Sequence, residues 1–195
     1  MLEDKILNCK VCQFGKQNRK PFQKTAWRAS RKLQLIHTDV AEPQRTPSFK
    51  GNLYYTIFID NFTRMCWIFF FKFKSEVAEI FWKFKVKVEN ESGLKIQILS
   101  SDNGTEYTSA KFNQFCEDFD IQHQLTSPYI PQQNRVSERR NRHILEMTRC
   151  MLYEKNLLKK FLVEAASTAI FLQKRLPTKA LKDHHLRFGM VTNHL

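Results

Sequence analysis

Ser101-Asp102-Asn103-Gly104-Thr105-Glu106-Tyr107 stands between a short Ile-rich run, Lys95–Leu99, and an amphipathic stretch from Ser109 to Phe119. It sets a carboxylate at the junction of an expected strand and an expected helix. Working outward, a second acid lies upstream in His37-Thr38-Asp39-Val40 and a third downstream in Pro131-Gln132-Gln133-Asn134-Arg135-Val136-Ser137-Glu138-Arg139. Thirty-five residues, 103 to 137, separate Asp102 from Glu138. Three hard oxygen donors of this kind suit Mg²⁺, and two such ions about 3.5–4 Å apart serve phosphoryl transfer. Each acid also has an ordinary reading. Asp39 reads as a strand-end residue, Asp102-Asn103-Gly104 as a turn, because Asn and Gly tolerate positive φ, and Glu138 as a helix-start acid paired with Arg142.

The surrounding pattern is α/β. Leu33–Val40, Leu53–Asp60 and Met65–Phe73 are apolar or alternating runs bounded by turn residues, and Asn61-Phe62-Thr63-Arg64 is short enough to join the last two as a hairpin. Ser75 is the expected cap of a helix carrying Val77, Ile80, Phe81, Phe84 and Val88 at helical spacing and ending at Gly93. Strand Lys95–Leu99, helix Ser109–Phe119 and strand Ile121–Leu125 follow, then a basic helix from about Asn134 to Glu154. A last helix, Lys159–Leu176, presents Phe161, Leu162, Ala165, Ala169 and Leu172, and Pro177 stops it. Such a meander followed by strand and helix alternation fits a mixed sheet flanked by helices.

Thirty-two Lys and Arg stand against nineteen Asp and Glu, a formal charge of +13 that draws polyanions, nucleic acid first among them. On charge alone a merely soluble basic protein remains open. Seventeen Phe and 42% hydrophobic residues are enough for a sizeable core. Five Cys imply no disulfide framework, and an intracellular, reduced setting is expected. The longest apolar run, Met65–Phe71, is seven residues, so no membrane span is expected.

The order Asp39, Asp102, thirty-five residues, Glu138, each acid in its own string, closely resembles the integrase catalytic core of copia-type long-terminal-repeat retrotransposons, part of a Gag-Pol polyprotein. The resemblance runs from about Cys9 to Leu181. It implies a ribonuclease H-like α/β fold with a mixed five-stranded sheet, the first and fourth strands parallel neighbours, so that Asp39 and Asp102 meet and Glu138 enters from the long helix. It implies that Asp39 bridges two Mg²⁺ (or Mn²⁺) ions while Asp102 and Glu138 complete one site each. The implied activity is 3′-end processing of element DNA and strand transfer into target DNA. Homo-oligomerisation and a nuclear site of action are implied in the same way.

The basic helix supports a DNA face independently. At about 100° per residue, Arg135, Asn141, Arg142 and Arg149 share a broad side with Glu138, while Val136, Ile144, Met147 and Met151 fall opposite. Arg139 adds a cation beside Glu138, and Tyr129, Gln132, Gln133 and Asn134 offer a stackable ring and amide donors ahead of the helix. A solvated basic face behind a Pro-rich turn is the plainer alternative.

Three parts are expected: a truncated zinc-module remnant with a basic linker over 1–32, the catalytic core over 33–182 and a divergent tail over 183–195. Cys9-x-x-Cys12 is half of a four-ligand zinc site, no His precedes it, and zinc binding is not expected of this chain unless His37 or the late His residues supply ligands. Arg135 occupies a position where the resembling family has Gly, and a side chain there alters the approach of backbone to phosphate. The readings are therefore an active integrase core, a catalytically inactive nucleic-acid-binding remnant of one, and last a ribonuclease H-type hydrolase.

Overall fold

The computed structural model describes residues 28–126 and 135–175, with the side chain of residue 135 outside the description. Five strands, β1 (Leu35–Val40), β2 (Tyr54–Asp60), β3 (Cys66–Phe71), β4 (Ile98–Ser101) and β5 (Gln122–Leu125), form one sheet in the order β3-β2-β1-β4-β5. β1, β2 and β3 pair antiparallel, whereas β1 with β4 and β4 with β5 are parallel. Helices α1 (Val77–Ser92), α2 (Thr105–Thr108), α3 (Ala110–Asp118), α4 (Arg135–Glu154) and α5 (Leu162–Gln173) complete the arrangement. It is the ribonuclease H-like fold, a mixed five-stranded sheet flanked by helices.

Each face of the sheet has its own core. On one, Ile36, Phe58, Trp67 and Leu99 pack with Phe81, Phe84 and Val88 of α1 and with Tyr107 and Phe112. The Phe58 and Phe84 rings stack with centroids 4.2 Å apart. On the other, Tyr55, Ile57 and Ile59 meet Ile144 of α4 and Ala166 and Ile170 of α5. Alternation along β1 sends Ile36, Thr38 and Val40 toward the first face and Asp39 toward the second.

The hairpin between β2 and β3 is set by Asp60. Its carboxylate accepts from Leu33 N at 3.0 Å, Thr63 N at 2.8 Å and Thr63 Oγ1 at 2.5 Å, while Arg64 takes φ of +63° to close the turn. Leu33 itself has φ of +58°, which breaks the run and starts β1 at Leu35 rather than Leu33. β4 is displaced toward its C-terminus relative to Lys95–Leu99, because pairing with β1 begins at Leu35 opposite Ile98 and runs to Ser100, and pairing with β5 extends it to Ser101.

Local expectations need four corrections. Ser75 does not cap α1; it lies inside a 3-10 turn, Lys74–Glu76, and the Glu76 carboxylate accepts from Phe73 N at 2.7 Å. Ser109 caps α3, accepting from Phe112 N, and the separate turn α2 precedes it. The buried stripe of α4 is Ser137, Asn141, Ile144, Thr148 and Leu152; Met147 and Met151 are only half-buried. On α5, Ala165, Ala166, Ala169, Ile170 and Gln173 are buried, Leu172 is exposed, and Lys159–Phe161 forms a separate 3-10 turn. In both helices a tertiary neighbour selects which small or polar residues go inside, which apolar periodicity does not reveal.

Candidate active site

Asp39 is the fifth residue of β1, and Asp102 follows directly on β4. The parallel register runs Leu35, Ile36 and His37 opposite Ile98, Leu99 and Ser100. Continued two steps, it puts Asp39 level with Asp102 on chains about 4.8 Å apart. Both are half-buried at the same end of the sheet. The Asp102 carboxylate accepts from Gly104 N at 3.2 Å, and Asn103 Nδ2 donates to Thr126 O at 2.7 Å, tying the loop after β4 to the end of β5.

Tyr107 explains the rest of that string. Its hydroxyl, wholly buried, lies 2.7 Å from Thr38 Oγ1 and 3.3 Å from Thr56 Oγ1, and the Thr56 hydroxyl donates to the Asp39 backbone carbonyl at 3.1 Å. The turn carrying Asp102 is thus pinned beneath the strand that carries Asp39.

Glu138 stands exposed in the first turn of α4. Asn141, one turn on and buried, donates from Nδ2 to Asp39 Oδ2 at 2.5 Å. Residues three apart on a helix are surface neighbours, so this bond brings the Glu138 side of α4 to the Asp39 end of β1. Among the described residues no group of three or more His, Cys, Asp or Glu gathers as a metal site, so the three acids do not converge as a closed cluster. The donor chemistry of two level carboxylates with a third on the adjoining helix nevertheless fits a hard divalent cation. Arg139 and Arg142 are exposed on α4. Tyr129, Gln132, Gln133 and Asn134 lie outside the described residues, as do Cys9 and Cys12 and, for its side chain, Arg135.

Two further residues gain roles that the sequence did not suggest. Arg140 donates from Nη1 to Gln173 Oε1 and from Nη2 to Arg64 O, both at 2.7 Å, clamping α4 to α5 and to the β2–β3 turn. His37 is buried with Nε2 2.9 Å from Asn61 Nδ2, and burial together with the Arg64 charge lowers its pKa to about 4. It is a neutral structural group, engaged in the hairpin. Tyr55, next to Asp39 on the sheet, has its hydroxyl buried without a partner, and burial followed by the Asp39 charge pushes its pKa up.

Residues 29–131 match the sequence model of the integrase core domain. The chain is 43% identical over 173 residues to the retrovirus-related Pol polyprotein from transposon TNT 1-94 of Nicotiana tabacum, covering 89% of this chain and 13% of that protein. It is 35% identical over 178 residues to the corresponding polyprotein from transposon RE2 of Arabidopsis thaliana, covering 91% of this chain and 12% of that one. The chain therefore spans about an eighth of these relatives' length. Among solved structures, a chain of the simian T-cell lymphotropic virus intasome in complex with PP2A regulatory subunit B56 gamma superposes with a TM-score of 0.72 at 17% identity, covering 98% of this chain and 68% of that one. The HTLV-2 integrase catalytic core domain in complex with magnesium superposes with a TM-score of 0.59 at 19% identity, covering 83% of this chain and 99% of that one. These structural likenesses concern the fold. Its sequence places the chain in the integrase core domain family, related to the Pol polyproteins of copia-type retrotransposons.

Proposed function

We propose that this domain is the polynucleotidyl transferase core of a retrotransposon integrase, trimming element DNA ends and joining their 3′-hydroxyls to target DNA. The observation that carries the reading is the level placement of Asp39 and Asp102 on parallel neighbours, with Asn141 of the Glu138 helix bonded to Asp39. Asp39, Asp102 and Glu138 would hold Mg²⁺ or Mn²⁺, which when bound lowers the pKa of an attacking oxygen and neutralises charge on the phosphate. Asn141 fixes the Asp39 carboxylate, limiting its rotation. Arg135, Arg139 and Arg142 of the helix and, ahead of it, Tyr129, Gln132, Gln133 and Asn134 are assigned to the DNA end, the cations to phosphates and the ring to a base. In each step the nucleophile, water or a 3′-hydroxyl, forms one P–O bond as the opposite P–O bond breaks, giving up a proton while the leaving oxygen gains one.

Two DNA partners and a homo-oligomer that holds two ends together follow from this reading, as does action in the nucleus. No helix among the described residues is long and apolar enough to cross a membrane. An inactive DNA-binding remnant is the second reading, favoured by Arg135 at the family's Gly position and by the open arrangement of the three acids. Strand release from a branched DNA mimicking the joined product, with Mg²⁺ or Mn²⁺, separates the two. Metal-dependent release abolished by Glu138→Gln supports the transferase. Silence of the native chain with recovery in Arg135→Gly identifies a disabled integrase, and silence of both leaves the binding remnant.

A further inference from the structure

A groove of about 880 Å³ opens beside Asp39 and follows α4 away from the carboxylates, its far wall formed by the connection after β1 from Ala41 to Thr46. Asn141, Leu145, Arg149 and Tyr153 line it from the helix at a spacing of four that keeps them on one broad face, and Asn156 adds to the lining from the turn beyond the helix end. At 1.5 Å per residue the lined length of α4 is roughly 18 Å, which matches about five nucleotides of a stacked strand at 3.4 Å each.

The deep end carries polar atoms whose partners are missing. The Tyr55 hydroxyl and Asn141 Oδ1 are both buried, both without a hydrogen-bond partner, and both residues line the groove next to Asp39. Desolvated groups of this kind are costly to leave unpaired, so a buried donor and a buried acceptor lining one groove mark a place where a ligand completes the bonding. Further out the groove turns cationic and aromatic. Arg45, Arg149 and Lys159 are exposed along it, against Glu42 on the same rim, and the Tyr153 ring is 90% exposed. Cations beside a bare ring suit phosphates and bases together, which an acidic peptide would use only in part.

We propose that this groove holds a single strand of nucleic acid leading away from the Asp39 and Asp102 strand ends. Tyr55 and Asn141 meet its sugar or base edge nearest the carboxylates, Arg149 and Lys159 meet phosphates, and Tyr153 stacks on a base. The inference rests on the proposed transferase reading and extends it to a binding channel outside the catalytic acids.

Fluorescence polarisation of a labelled short single-stranded oligonucleotide with the full chain, across a salt series, tests it without requiring turnover. The expected result for the double variant Arg149→Glu with Lys159→Glu is roughly tenfold or greater weakening and a salt slope reduced by about 1.4, near 0.7 per phosphate contact. Tyr153→Ala is expected to weaken binding at least about fivefold, with Tyr55→Phe losing a smaller factor of about three. The double variant Lys83→Glu with Lys95→Glu, both exposed and outside the groove lining, makes the same change in net charge and controls for charge alone. If the groove variants bind with the affinity and slope of that control while the native chain binds DNA, the channel is wrong and the transferase reading stands. Failure of the native chain to bind either single-stranded or branched DNA overturns both. Loss of polyglutamate binding in the groove variants, with DNA binding unchanged, assigns the groove to an acidic peptide and overturns the proposal.

Discussion

Asn141 bonds to a residue 102 positions away, and its amide holds Asp39 in one orientation. Partners that orient a metal-binding carboxylate typically matter 10–100-fold in metal affinity or activity. Asn141→Ala is accordingly expected to raise the Mg²⁺ concentration needed for strand release by about tenfold or more, read by titrating the metal at fixed DNA. A merely structural role would lower stability and leave that requirement unchanged. Tyr107 acts on the other side of the same strand. Tyr107→Phe removes one hydroxyl between Thr38 and Thr56 but leaves the two threonines in reach of each other at 3.3 Å, so a cost of about 1 kcal/mol is expected in urea unfolding.

At the scale of elements, the β2–β3 turn is the point where the second face of the sheet and its helices are joined. Arg140 reaches from α4 to the Arg64 carbonyl and to Gln173 on α5, making two charge-assisted hydrogen bonds. Arg140→Ala leaves the buried Gln173 amide oxygen and the turn carbonyl without this donor, and a loss of about 2–3 kcal/mol is expected from denaturant unfolding. Arg140→Lys should recover only part, because an ammonium cannot fork to both acceptors in the same geometry. His37 lies behind the same turn. Its folded pKa of about 4 sits below the ordinary imidazole value of 6.5, so the unfolded chain takes up a proton that the folded one refuses. Stability is therefore fullest above pH 6.5 and falls as pH drops toward 4. Between about pH 7 and pH 5 the loss amounts to about 2 kcal/mol from this group, and His123, also lowered by burial, acts in the same direction. Urea unfolding at the two pH values checks this, with His37→Gln expected to flatten the difference.

The whole molecule divides its two cores by purpose. The face covered by α1 is mainly aromatic, with Phe58, Phe81, Phe84 and Phe112 in contact. The face covered by α4 and α5 is smaller and carries polar residues toward its Asp39 end: Ser137, Asn141 and Tyr55. A sheet that buries one face in rings can hold strand ends rigidly while the other admits a polar site. Disrupting the first core is therefore expected to unfold the domain rather than to alter DNA binding selectively. Phe84→Ala, at 0% exposure against Phe58 and Trp67, should cost about 3–5 kcal/mol by thermal or denaturant unfolding.

Strand and helix alternation, the hairpin at Asn61–Arg64 and the three acid strings were legible because each is a local pattern: period two, period 3.6, or a short motif whose residues are neighbours in the chain. The level of Asp39 with Asp102 was expected from the resemblance, but the β1–β4 register supplies its physical cause. The remaining features depend on partners distant in sequence. Periodicity marked α4 as amphipathic without saying that Asn141 and Thr148 go inside in place of Met147 and Met151, because that choice is made by what the helix packs against. The Arg140 clamp, the His37–Asn61 pair and the groove that joins Tyr55 to Tyr153 are of the same kind. Their hydrogen bonds and walls exist only once separate segments meet, and no local rule of backbone or side chain encodes that meeting.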